Sequence, residues 1–200
     1  MTTIGGHLTG LLHGTGDGRP AHSARGLNWL RAGVLGANDG IVSIAATVVG
    51  VAGAATSART IGLAGGAALV AGALSMAAGE YVSVSSQRDA ERVAADAGRP
   101  IGGADDEDAF TNPWHAALAS FVAFTIGGLA PLLVVLAPWP VAARVPVTAV
   151  AVVAALVALG WASARFTGAA TGRSVLRNVV GGSVAMAVTY GIGTLVGVAL

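Results

Sequence analysis

Two side chains stand where an apolar chain does not keep them without a use, Asp39 and Glu80, and Met76 shares a helix face with the second. Asp39 lies in GANDGIVS (36–43), and from Gly33 to Gly53 there is no other charged residue. Glu80 lies in SMAAGEYVSVSSQ (75–87), four residues after Met76, so the two stack on one face of a helix. Ser83 and Gln87 continue that face, and Ser43 stacks on Asp39 in the same way. An ionised carboxylate at the centre of a membrane helix costs about 2.5–3.5 kcal/mol on insertion scales; such groups face a cavity or a bundle interior and often mark an ion or proton path. A thioether beside carboxylates is a ligand set for a borderline divalent ion such as Fe²⁺, whereas carboxylates alone suit the harder Mg²⁺ or Mn²⁺. Asn38 and Ser43 are weaker candidates beside Asp39. The competing readings are ordinary ones: Met76 as packing, Glu80 reaching toward water, Ser83 and Gln87 as interface polar groups. Asp39 is the hardest of the set to assign a purely structural role.

The elements that must position these residues are membrane helices. Hydrophobic residues make up 54% of the 200 and charged residues 10%, with a mean hydropathy of +0.72; an ordinary soluble domain carries about 25% charged residues. Five continuous apolar segments are each long enough to cross a bilayer, at about 29–54, 60–86, 114–137, 145–164 and 179–199. They do not alternate as barrel strands do. The expected fold class is therefore an all-α integral membrane protein. Five spans put the N-terminus and the 2–3 and 4–5 loops on one side, with nine of the eleven Arg; only Arg59 and Arg144 lie on the other. The positive-inside rule makes the Arg-rich side cytoplasmic and sends the C-terminus outside. Asp39 follows Arg31 by eight residues and Glu80 precedes Arg88 by eight, about 12 Å of helix in each case. Both carboxylates are thus expected at similar depth in an antiparallel pair, with no Arg as deep to partner them.

Outside the spans the sequence is less directive. Residues 1–26 read as a disordered cytoplasmic tail without the apolar core of a signal peptide; His7, His13 and His22 are too widely spaced for one site. The 2–3 loop, 87–113, is short and acidic; its first part is expected to extend the second helix by two turns, to about Gly98-Arg99-Pro100. The run Asp105–Asp108 is expected to cap the third span, or to collect cations weakly. Pro131 is a candidate kink, and Pro138 and Pro140 mark the third span's exit. Trp29, Trp114, Trp139 and Trp161 suit an interfacial belt. Gly36/Gly40, Gly62/Gly66 and Gly193/Gly197 have the spacing of close helix packing. There is no Cys, no HExxH, no nucleophile elbow, no phosphate loop and no basic patch interleaved with aromatics. An enzyme, a bound cofactor and a nucleic-acid partner are not expected. The basic residues are all Arg, and Ala, Gly and Val are in excess, a composition of GC-rich bacterial genomes that places the chain in a cell inner (cytoplasmic) membrane.

NWLRAGVLGANDGIVSIAATVVGVAGA and GALSMAAGEYVSVSSQRDAE resemble the first two helices of the vacuolar iron transporter family, PWHAALASFVAFTIGGLAPLL its third and RSVLRNVVGGSVAMAVTYGIGTLVG its fifth. The similarity runs from Asn28 to Leu200. It implies a five-helix protomer that forms a homodimer with the metal path at the interface, exporting Fe²⁺, and often Mn²⁺, from the cytosol in exchange for protons. The family's metal-binding Asp, Met and Glu fall on Asp39, Met76 and Glu80. Typical members carry a long glutamate-rich cytoplasmic domain between helices two and three; this chain has about 27 residues there, as in the shorter nodulin-like branch. Glu91 matches the start of that domain, and its other glutamates have no counterparts. Two further readings of the same residues are a transporter of another small cation and a non-transporting membrane scaffold packed through its glycines.

Overall fold

In the computed structural model, residues 24–54, 57–98 and 112–199 are described. They form five helices and, among the described residues, no strand: α1 (Ala24–Ala54), α2 (Ala58–Asp96), α3 (Pro113–Leu136), α4 (Val141–Thr167) and α5 (Thr171–Ala199). All five are long and apolar enough to cross a membrane. Local chemistry sets their ends. The Ser57 hydroxyl accepts from the Thr60 N–H at the start of α2. Beyond Asp96 the chain turns at Gly98, whose φ of +67° suits a residue without Cβ. Asn112 accepts from the N–H groups of Trp114 and His115, and Pro113 opens α3 where no N–H is needed. Gly168, at φ +69°, stops α4.

Several expectations change at these ends. Asn112 caps α3; Asp105–Asp108 lies outside the described residues, as does most of the N-terminal tail. Residues 24–26, expected in that tail, are the first turn of α1. Helix α5 starts eight residues before the expected 179, so Arg173 and Arg177 lie on it and only residues 168–170 join it to α4. The apolar window marks what lies in lipid, whereas the hydrogen-bond ladder continues through Arg-bearing turns at the interface. Helix α2 behaves similarly at its far end: 39 residues, about 58 Å, exceed a hydrocarbon core of about 30 Å. The expected two-turn extension past Ser86 is present and reaches Asp96. Helix α3 continues through Pro131, which is buried.

Helix α1 is the central element and packs against all four others. Two of the three expected glycine pairs are used, and inside the protomer. A Cβ at Gly36 would stand 2.7 Å from the Ser120 carbonyl, and one at Gly40 would run into the Phe124 backbone. Gly127 returns the contact against the Ala37 carbonyl, so the α1 and α3 backbones touch. Gly193 and Gly197 bring α5 equally close to Gly50 and Ala54 of α1. Gly36 and Gly40 are therefore filled by α3, not held open for a second copy. Gly62 meets only the Leu136 side chain, and nothing lies within 4 Å of a Cβ at Gly66.

The α1–α2 register follows from these contacts. Val48 abuts Gly65, Ile44 and Leu69 both abut Gly128, and Arg31 reaches Glu80. In an antiparallel pair, each step up one helix is a step down the other. Asp39 is therefore level with residues 72–74 of α2, and Phe124 marks that level: its backbone sits on Gly40 and its ring on Gly72.

Candidate functional site

Glu80 lies on the stripe of α2 that faces its neighbours, with Ile61, Gly65, Leu69, Ala73 and Val84. Only 6% of its surface is exposed, and its Oε2 accepts from Arg31 Nη2 at 3.2 Å. The expected absence of a basic partner thus does not hold. Arg31 stands at the start of the first expected span, and its guanidinium pairs with the carboxylate while half of its side chain stays exposed. The missing signal was the register of α2 on α1, which sequence spacing does not contain.

That register also separates the two carboxylates in depth. Level with 72–74, Asp39 lies two to four residues beyond Met76 and six to eight beyond Glu80, about 3–6 Å and 9–12 Å respectively. The equal depth expected from Arg31 and Arg88 is corrected to a staircase: Glu80 nearest the Arg-rich end, Met76 in between, Asp39 deepest. Asp39 is half-buried, and its Oδ1 accepts from the Ser43 hydroxyl at 3.0 Å, the stacking expected one turn on. Met76 is half-buried and packs against the main apolar core. The residue thus takes part in the packing that is the competing reading of it.

The weaker candidates divide. Asn38 lies on α1 beside Asp39, and its Oδ1 is buried with no hydrogen-bond partner. Ser83 and Gln87 are exposed, and the buried stripe continues through Val84 instead. Gln87 donates to Glu91 at 3.0 Å on the projecting end of α2. Glu91 is eleven residues, about 16 Å, from Glu80 and is not brought to it. Among the described residues no three His, Asp or Glu side chains converge on one point. A residue that the sequence did not single out is Ser120 of α3, fully buried against Gly36 with its hydroxyl unpartnered. The surrounding threonines are quiet: Thr47, Thr125 and Thr148 donate to carbonyls one turn back on their own helices.

The arrangement offers a cation oxygen and sulfur donors at successive depths along α1 and α2, with a guanidinium occupying the first of them. All four tryptophans are exposed; Trp114 meets Tyr81 with ring centres 4.8 Å apart and planes tilted by 56°, and Arg165 lies 5.2 Å over Trp161.

The profile of the VIT family matches residues 30–99 and 96–194 of the chain. The two segments meet at the end of α2, where residues 97–112 alone lead to α3. Vacuolar iron transporter homolog 1 of Oryza sativa subsp. japonica is 44% identical over 187 residues, covering 91% of this chain and 80% of its own length. Vacuolar iron transporter homolog 4 of Arabidopsis thaliana is 44% identical over 169 residues, 84% of each chain. Vacuolar iron transporter homolog 5 of Oryza sativa subsp. japonica is 46% identical over 167 residues, 82% of this chain and 79% of its own. These relatives are plant proteins named for the vacuole, and they overturn the expected inner (cytoplasmic) membrane. The Arg-only composition behind that expectation reports nucleotide bias; five spans of this length suit any bilayer and carry no address.

Proposed function

The chain belongs to the VIT family, and on that basis we propose that it carries divalent metal, Fe²⁺ with Mn²⁺ as a second substrate, out of the cytosol in exchange for protons. The membrane is a vacuolar one, as the relatives' names have it. The observation that supports the reading best is the staircase of Glu80, Met76 and Asp39, since two carboxylates are retained inside spans where each is costly. Ions enter from the Arg-rich side, meet Glu80, and pass Met76 to Asp39. At Glu80 the ion competes with the Arg31 guanidinium for the same oxygen. At Asp39 it binds a deprotonated carboxylate steadied by Ser43, and protons from the far side displace it. Asn38, with its unpartnered carbonyl oxygen, supplies a further oxygen at that level. Among the described residues no three His, Asp or Glu converge on one point, and a second copy completes the coordination across a homodimer interface. No long domain is inserted between α2 and α3, and Glu91 is the residue that matches the start of such a domain.

Proteoliposomes loaded with a metal-sensitive dye test this reading. Flux of Fe²⁺ and Mn²⁺ that follows an imposed proton gradient, and that each metal inhibits in the other, is expected. Metal flux indifferent to the gradient would remove the proton coupling, and no flux of any divalent metal would remove the transporter.

A further inference from the structure

A second feature lies where α1 meets α4 and α5, and it shares Arg31 with the α1–α2 staircase. Between α1, α4 and α5 is a cavity of about 470 Å³, within the range of sites that hold small ligands. Its lining includes Arg31 and Asn38 of α1, Ser163 of α4, and Arg177 and Asn178 of α5. Among the described residues no Asp or Glu lines it. Arg31 is already paired with Glu80, so Arg177 supplies the cavity's net positive charge, which disfavours a divalent cation. That charge attracts an anion, and a planar guanidinium fork matches phosphate oxygens in pairs.

The position narrows the ligand further. Ser163 is in the last turns of α4, and Arg177 and Asn178 are in the second turn of α5. The cavity therefore opens at the Arg-rich end of the bundle, the depth of the cytoplasmic headgroups. Basic pockets between helices at that depth are where anionic headgroups bind. Only one Nη of Arg31 is committed to Glu80, which leaves other N–H groups of a five-donor fork. Arg177 is exposed.

We infer that this cavity binds a phosphate group, carried by an anionic phospholipid of the cytoplasmic leaflet or by a soluble phosphate. Arg177 is the principal ligand and Arg31 bridges the phosphate to Glu80. The inference does not depend on the transport reading, because binding is measured without flux.

The test uses the purified full chain in detergent, with bound lipid counted by native mass spectrometry. Phosphatidylglycerol is expected to be retained over phosphatidylcholine, whose choline would bring a cation against the two Arg. Arg177→Gln is expected to weaken phosphatidylglycerol retention about fivefold, the worth of one basic residue near a membrane surface. Arg59→Gln, at the opposite end, is expected to leave it unchanged. Inorganic phosphate is the second arm: displacement of phosphatidylglycerol from the unmodified chain by millimolar phosphate supports a soluble ligand, and retention supports the lipid. Equal retention of the two lipids, or equal losses in Arg177→Gln and Arg59→Gln, would overturn the site.

Discussion

Removing the Arg31 guanidinium leaves Glu80 in place with 6% exposure and no other hydrogen-bond donor assigned to it. The cost of Arg31→Gln can be bounded from both sides. A hydrogen bond to a charged group is worth about 1.5–3 kcal/mol, and exposed ion pairs about 0–1 kcal/mol. Arg31 is 52% exposed and Glu80 is not, so the pair lies between these limits. Polar contacts between membrane helices average about 0.6 kcal/mol and reach about 1.7. We expect a coupling of about 1–1.5 kcal/mol. The assay is a double-mutant cycle of Arg31→Gln and Glu80→Gln, read by reversible unfolding in mixed micelles. Arg31→Gln should cost that much more in the unmodified background than with Glu80→Gln already present, because the second background has no charge to strand. Costs that add to within about 0.3–0.5 kcal/mol would show that the two side chains do not interact, and would remove the contact from which the cytoplasmic end of the register is fixed.

Other consequences are simpler. Gly40→Ala drives a Cβ into the Phe124 backbone, which cannot give way, and should destabilise by about 1–3 kcal/mol in the same unfolding assay. Gly33→Ala, on the same helix with nothing within 4 Å, should be neutral or stabilising by up to about 1 kcal/mol. Gly193→Ala, against the Gly50 backbone, should resemble Gly40→Ala, whereas Gly66→Ala should resemble Gly33→Ala. Asn112→Ala should cost about 1 kcal/mol and speed amide hydrogen exchange at Trp114 and His115, the two groups it caps.

What was legible in the sequence is what one helix decides for itself. The apolar runs fixed five spans, because about 20 such residues have few other uses, and the helix extension to Gly98 was readable from the polar turns before a glycine. The helical period put Met76 under Glu80 and Ser43 under Asp39 without reference to any neighbour. What depends on two helices was not legible. Glu80 was expected beside Asp39 because both stand eight residues from an Arg, but that arithmetic assumes two helices cut off at the same plane. The offset is set by Gly65 on Val48 and by Phe124 wedged between Gly40 and Gly72, and spacing along one chain carries none of it. The same holds for the glycine pairs: their spacing announced close approach but not whether α3, α5 or a second copy would fill it.

The claim on which the account rests is that Asp39 carries the ion at the deepest step of the staircase. Fe²⁺ flux into proteoliposomes under a proton gradient, compared for the unmodified chain and Asp39→Asn at equal reconstituted amounts, tests it most directly. Asn keeps the volume and the Ser43 neighbour but holds no exchangeable carboxyl proton. Flux in Asp39→Asn is expected to fall to the level of protein-free liposomes; undiminished flux would show that Asp39 does not carry the ion.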